Sequence, residues 1–313
     1  MALSKSLRTP ALIGAVVLFM SAMCAGGSVQ KDLPVVPFKL DRNRTIIPTQ
    51  VNGSRPLNLI LDTGMGFDGV LLFHQELAKE IDMTGAIEVR VPGAGSGEAS
   101  TALMIEQGEL TFGDVTVDSQ RVIILQDPNT QTFATDGVIG WNFFGHYAVQ
   151  IDYDHNLITL HDTAGFAVDT PWVSLPITLK GNIPFIDGKV EVVEGEMVPA
   201  SFYIDLASEE ALEMLVRADQ KFTMPAKLDS SYLGTGLSGD IYGSRGRSRH
   251  LWLGGYMLSD IRTAFAPAEV RSKQKGADGI LGNDCLRRFN VIFDYAHQRL
   301  YLKPNGSFST PFE

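Results

Sequence analysis

Short runs of alternating apolar and polar residues, broken by Gly, Asn and Asp, dominate the chain. Leu57-Asn58-Leu59-Ile60-Leu61, Ile87-Glu88-Val89-Arg90-Val91 and Val115-Thr116-Val117 have the two-residue period of half-buried strands. Two stretches read instead as helical, Phe73 to Ile81 and Ser208 to Phe222. The second has Ser208 as a cap, and Glu209 and Glu210 where the positive end of a helix dipole would lie. The pattern therefore predicts an all-β architecture with short helices.

The strand pattern occurs twice, in order. Val36-Pro37-Phe38-Lys39-Leu40 is echoed by Leu175-Pro176-Ile177-Thr178-Leu179, and Val51-Asn52-Gly53 by Val193-Glu194-Gly195. Asp62 corresponds to Asp205, and Leu110-Thr111-Phe112-Gly113 to Leu251-Trp252-Leu253-Gly254. Asp136-Gly137-Val138-Ile139-Gly140 corresponds to Asp278-Gly279-Ile280-Leu281-Gly282, and Ile151-Asp152-Tyr153 to Phe293-Asp294-Tyr295. Such order predicts a tandem duplication, with lobes at 32–162 and 175–306 joined by a linker at 163–174 that carries Gly165 and Pro171.

The N-terminus has a different pattern. Lys5 and Arg8 precede an apolar run from Ala11 to Met23, and small residues follow at Ala25, Gly26, Gly27 and Ser28. This is the layout of a signal peptide over residues 1–28, cleaved between 24 and 30, and it predicts export to the periplasm or the cell exterior. A spanning helix needs about 20 apolar residues, so an uncleaved N-terminal anchor is the alternative. Met23 before Cys24 disfavours lipidation. No later apolar stretch is long enough to span a bilayer.

With 313 residues, 44% hydrophobic and 20% charged, the chain has the composition of a folded globular protein. Its net charge of -10 disfavours nucleic acid as a partner. Removal of the N-terminal segment would leave Cys285 as the only cysteine, so no internal disulfide forms and Cys285 reads as an inert core thiol.

Candidate chemistry begins at Leu59-Ile60-Leu61-Asp62-Thr63-Gly64, where a hydrophobic strand runs into an acid, a hydroxyl and a glycine. Alone this is also the composition of a turn. Repetition changes its meaning: Phe202-Tyr203-Ile204-Asp205 ends the matching strand, and each half later supplies a hydrophobic-hydrophobic-Gly segment. On these motifs the chain resembles the pepsin and retropepsin superfamily of aspartic peptidases, particularly bacterial members with two retropepsin-like lobes around a central cleft. The resemblance implies that Asp62 and Asp205 are the catalytic pair, supported by Thr63 and Gly64, with Val138-Ile139-Gly140 and Ile280-Leu281-Gly282 packed behind them. Two carboxylates about 3 Å apart cannot both ionise, so one serves as base and the other as acid toward a bound water. No metal or other cofactor is required. The second motif, Asp205-Leu206-Ala207, departs from Asp-Thr-Gly twice: Leu206 lacks the hydroxyl and Ala207 adds a methyl.

In the same family a β-hairpin flap closes over the substrate. Gly93-Ala94-Gly95-Ser96-Gly97 fits its tip, with Gly93, Gly95 and Gly97 as substrate-binding positions. Glu98 breaks a Gly-x-Gly-x-x-Gly phosphate loop, and no helix is predicted after it. The corresponding segment of the second half, Gly234 to Gly246, reads as a longer loop leading into Arg245, Arg247, Arg249 and His250, a basic tip. Asp152-Tyr153-Asp154-His155-Asn156 and Asp294-Tyr295-Ala296-His297-Gln298 read as hairpin turns rather than metal ligands.

The sequence thus predicts an exported aspartic endopeptidase acting on polypeptide as a monomer. Leu206-Ala207 motivates a second reading, a peptidase fold that binds peptides without cutting them. A third, pairing of two first lobes between chains, is disfavoured because one chain already holds both lobes.

Overall fold

The computed structural model describes residues 34–95, 97–168, 171–271 and 276–313. The expected signal segment and Ser96 of the expected flap tip lie outside the described residues.

The architecture is nearly all β. In the first half the strands are β1 (Val35–Pro37), β2 (Lys39–Asp41), β3 (Arg44–Val51), β4 (Leu57–Leu61), β5 (Gly69–Leu72), β6 (Ile87–Val91), β7 (Ser100–Phe112), β8 (Val115–Leu125), β9 (Gly137–Ile139), β10 (Tyr147–Asp152) and β11 (Leu157–Asp162). In the second half they are β12 (Val173–Lys180), β13 (Ile183–Glu191), β14 (Met197–Asp205), β15 (Leu212–Val216), β16 (Asp229–Gly236), β17 (Gly239–Leu253), β18 (Tyr256–Pro267), β19 (Gly279–Gly282), β20 (Phe289–Asp294) and β21 (Arg299–Pro304). One-turn helices α1 (Trp141–Phe144) and α2 (Asn283–Leu286) follow β9 and β19.

Strand order repeats between the halves. The first sheet runs β2-β3-β4-β9-β5-β8-β7-β6, and the second half runs β12-β13-β14-β19-β15-β18-β17-β16, every index raised by ten. In both, the strand that ends at an aspartate pairs parallel with the later hydrophobic-Gly strand: Leu61 lies opposite Ile139, and Ile204 opposite Leu281.

Between the halves lies a continuous run, β1-β11-β10-β20-β21-β12. At its centre β10 and β20 pair antiparallel with Gln150 opposite Ile292, Val149 opposite Phe293 and Ile151 opposite Val291. Gln150 therefore faces its own counterpart, which is the register a local twofold axis through this pair requires. Phe144, Phe293 and Tyr295 pack beneath the run, with Phe144 stacked on Tyr295 at 5.4 Å.

The turns explain the two acidic segments. Asn156 (φ 57°) and Gln298 (φ 54°) take the left-handed conformation that closes the β10–β11 and β20–β21 hairpins. Asp152 accepts bonds from the Asp154 and His155 backbone N–H groups, and Asp294 from that of His297, so these carboxylates are used within their own turns. Cys285, the one cysteine among the described residues, is buried in α2, and burial pushes its thiol up to about 12.

Three expectations are corrected. Residues 208 to 222 form no helix; Leu212–Val216 is strand β15, held between β18 and β19. Leu212, Glu213, Met214 and Leu215 are all buried, so both faces of the strand are covered and no two-residue alternation marks it. Ser208 accepts from Glu210 N–H at 3.3 Å within a turn. The first helical stretch shrinks to a five-residue 3-10 turn, Gln75–Lys79. The segment Arg245 to His250 is not a basic tip but an internal length of β17, whose hairpin tip lies at Leu237 and Ser238. Arg245, Arg247 and Arg249 pair with Glu210, Asp260 and Glu194.

The C-terminal tail is held by Arg288, whose side chain is fully buried. Its guanidinium donates to the backbone carbonyls of Asp284, Ser307, Thr310 and Pro311 and lies 3.6 Å from the Phe312 ring centroid. A buried cation needs such partners to offset its lost hydration.

Candidate active site

The two aspartates close equivalent strand ends. Asp62 follows β4, and its N–H donates to Ile139 O at 2.8 Å. Asp205 ends β14 opposite Gly282 of β19. Each carboxylate accepts the backbone N–H two residues ahead: Gly64 to Asp62 Oδ1 at 2.6 Å, Ala207 to Asp205 Oδ1 at 2.9 Å. The methyl of Ala207 thus leaves its N–H bond to Asp205 in place.

Thr63 ties one turn to the other. Its buried hydroxyl donates to Ile204 O at 2.7 Å and accepts from Leu206 N–H at 3.1 Å. At the corresponding second-lobe position Leu206 has no oxygen, and its side chain is fully buried in the main core. The tie therefore runs in one direction only.

Burial, reinforced by the Asp62 carboxylate, pushes the Asp205 carboxyl up to about 7, against an opposing pull from the Arg271 guanidinium. Arg271 forms a bidentate pair with buried Glu213, with its Nε 2.7 Å from Oε1 and Nη2 2.5 Å from Oε2. Sequence reasoning missed both residues; the only available signal was an acid inside the apolar run of β15. It also missed Tyr203, although strand alternation puts Tyr203 and Asp205 on one face of β14. The Tyr203 phenol stays far above its usual range through burial and then through Asp205 and Asp62, so it remains protonated.

Apolar clusters flank the aspartates. Ile46, Ile60, Leu71, Phe73, Ile123 and Val138 form one, with Ala207 packed against it. Phe185, Tyr203, Leu215, Ala277 and Ile280 form the other.

The three predicted flap glycines lie between β6 and β7, against the second-lobe hairpin tip. Gly93 N–H donates to Ser238 Oγ at 3.3 Å, Gly95 N–H to Val270 O at 3.1 Å, and Gly97 N–H to Ser238 O at 2.6 Å. Ser238 N–H returns a bond to Ala94 O at 2.8 Å, and Ser100 Oγ donates to Leu237 O at 2.9 Å. Gly95 has φ 120°, and a Cβ there would lie 2.5 Å from the Ser238 carbonyl, so only glycine permits this approach.

Residues 47–143 match the family model described as aspartyl protease, a span that includes Asp62-Thr63-Gly64 and Val138-Ile139-Gly140. The fold is similar to the crystal structure of aspartic proteinase from Irpex lacteus, with a TM-score of 0.58 and 13% identity, covering 89% of this chain and 99% of that one. No curated protein matches the sequence. The structural likeness shows a two-lobed, pepsin-like fold, and the family match lies within the first lobe.

Proposed function

We propose that this chain is an exported, monomeric aspartic endopeptidase whose catalytic pair is Asp62 and Asp205. The lobes span 32–162 and 175–306, descend from a duplicated unit, and are joined by 163–174. The observation that carries the catalytic reading is the pair of matched strand ends, with Asp205 pushed up to about 7 by burial and by Asp62. One carboxyl of the pair then keeps its proton while the other ionises.

In this reading Asp62 takes a proton from a bound water as the water oxygen attacks the scissile carbonyl carbon. Asp205 gives its proton to the carbonyl oxygen, producing a neutral gem-diol. Collapse of the diol breaks the C–N bond: one diol hydroxyl returns its proton to Asp205 as the new C=O forms, and Asp62 passes its proton to the leaving amine. Gly93, Gly95 and Gly97 form the flap that covers an extended polypeptide. Export is supported by the charged, apolar and small-residue order of the first 28 residues.

A second reading, peptide binding without cleavage, is favoured by one observation: Leu206 returns no hydroxyl bond for the one Thr63 makes. Cleavage of an unfolded protein across acidic to neutral pH separates the two. Asp62→Asn and Asp205→Asn each abolish cleavage with the fold retained if the dyad works. A wild-type chain that cuts nothing, with peptide binding that survives Asp62→Asn, selects the binder.

A further inference from the structure

Position 206 of the second lobe carries no hydroxyl, yet that lobe presents another to the first turn. Tyr203 stands two residues before Asp205, where the first lobe has Ile60 before Asp62. Its phenol approaches Gly64 end-on. A Cβ built on Gly64 would collide with Tyr203 Oη and would lie 2.9 Å from Asp62 Oδ1, whereas the phenol Cζ is farther away, at 3.6 Å. The phenol oxygen and the Asp62 carboxylate oxygen therefore lie beside the same point above Gly64.

The other lobe has the complementary arrangement. Ala207 carries the methyl that Gly64 lacks, and it packs against the apolar cluster containing Ile60. Tyrosine goes with glycine on one side, and isoleucine with alanine on the other. The two departures from symmetry at 203 and 207 thus match their neighbours across the interface.

We propose that Tyr203 is a positioning residue for Asp62: its hydroxyl, directed across the lobe interface at the Asp62 carboxylate, supplies the return contact that Leu206 does not make. Burial and the two nearby carboxylates keep the phenol protonated, so it remains a donor wherever Asp62 is ionised. The other ionisable groups acting on this site are Asp205, the Arg271–Glu213 pair and the buried phenol of Tyr295. Tyr295 Oη has no hydrogen-bond partner among the described residues.

This inference deepens the dyad reading and rests on it for its catalytic meaning, so its test has a readout that does not need turnover. Asp62 is titrated by carboxyl carbon NMR in the wild type, Tyr203→Phe and Tyr295→Phe, with Asp62→Asn to assign the signal. Loss of a hydrogen bond to a charged group is worth about tenfold or more in equilibrium terms. The Tyr203→Phe midpoint for Asp62 should therefore move up by about one pH unit, and the Tyr295→Phe midpoint should stay at the wild-type value. In cleavage assays Tyr203→Phe should lower kcat about tenfold with KM changed less than about twofold, because the loss falls on the aligned carboxylate rather than on substrate binding. An unmoved Asp62 midpoint in Tyr203→Phe, or equal movement in both variants, overturns the proposal. If the wild type cleaves nothing, the dyad reading falls, and the titration still decides whether Tyr203 holds Asp62.

Discussion

Replacing Thr63 by valine removes one oxygen at nearly constant volume. That oxygen donates to Ile204 O at 2.7 Å and accepts from Leu206 N–H at 3.1 Å, and Thr63 is almost fully buried. Thr63→Val would strand one backbone acceptor and one backbone donor away from water. Each buried unsatisfied group costs about 1–3 kcal/mol, so the predicted loss of stability from the two is about 2–6 kcal/mol. No hydroxyl from Leu206 shares the load, so the cost falls on this single tie. Urea unfolding followed by tryptophan fluorescence measures it, with Thr63→Ser, which keeps the oxygen, as the control for the lost methyl. The expected order is wild type, then Ser, then Val well below. Activity should fall with Val and largely persist with Ser, since the hydroxyl fixes one aspartate turn against the other. A Thr63→Val chain within about 0.5 kcal/mol of wild type would refute the reasoning, because that is the range of an unimportant surface change.

Two further outcomes are expected. Asp205 holds its proton up to about pH 7 in the folded chain but releases it near 3.8 when unfolded. The folded state then binds the extra proton between those values, so stability present at pH 3 falls as pH rises to about 7 and levels off above. Asp205→Asn should flatten this decline in a pH series of urea unfolding curves; a decline unchanged in that variant would exclude Asp205 as its source. Arg288→Leu should release the C-terminal tail, because its guanidinium binds the carbonyls of Ser307, Thr310 and Pro311. Limited proteolysis with mass spectrometry should show cuts after about residue 305 in the variant, and tails equally protected in both proteins would argue against the latch.

Much of the fold could be read in the sequence, because half-buried strands advertise themselves by alternation and their hairpins by Asn and Gly. Leu57–Leu61 and Val115–Leu125 are legible for that reason, as are the turns at Asn156 and Gln298. Leu212–Val216 was not, because a central strand covered on both faces is a continuous apolar run that periodicity cannot tell from a buried helix. Ser208, Glu209 and Glu210 just before it read as helix-start chemistry. The arginines from Arg245 to Arg249 looked like a charged tip because their acidic partners lie on other strands, distant in sequence. The aspartates stood out through their repeated context. Tyr203 did not, since its meaning depends on what Gly64 leaves open on the opposite lobe.

The one-directional tie at Thr63 has a consequence for how such a site can change over time. Were the two turns contributed by identical chains, any codon change at the threonine would remove both hydroxyls at once, and the interface would lose both crossings together. Here the turns are encoded separately, so position 206 can become leucine while position 63 keeps its oxygen. A single polypeptide can therefore vary each side of its own centre in isolation.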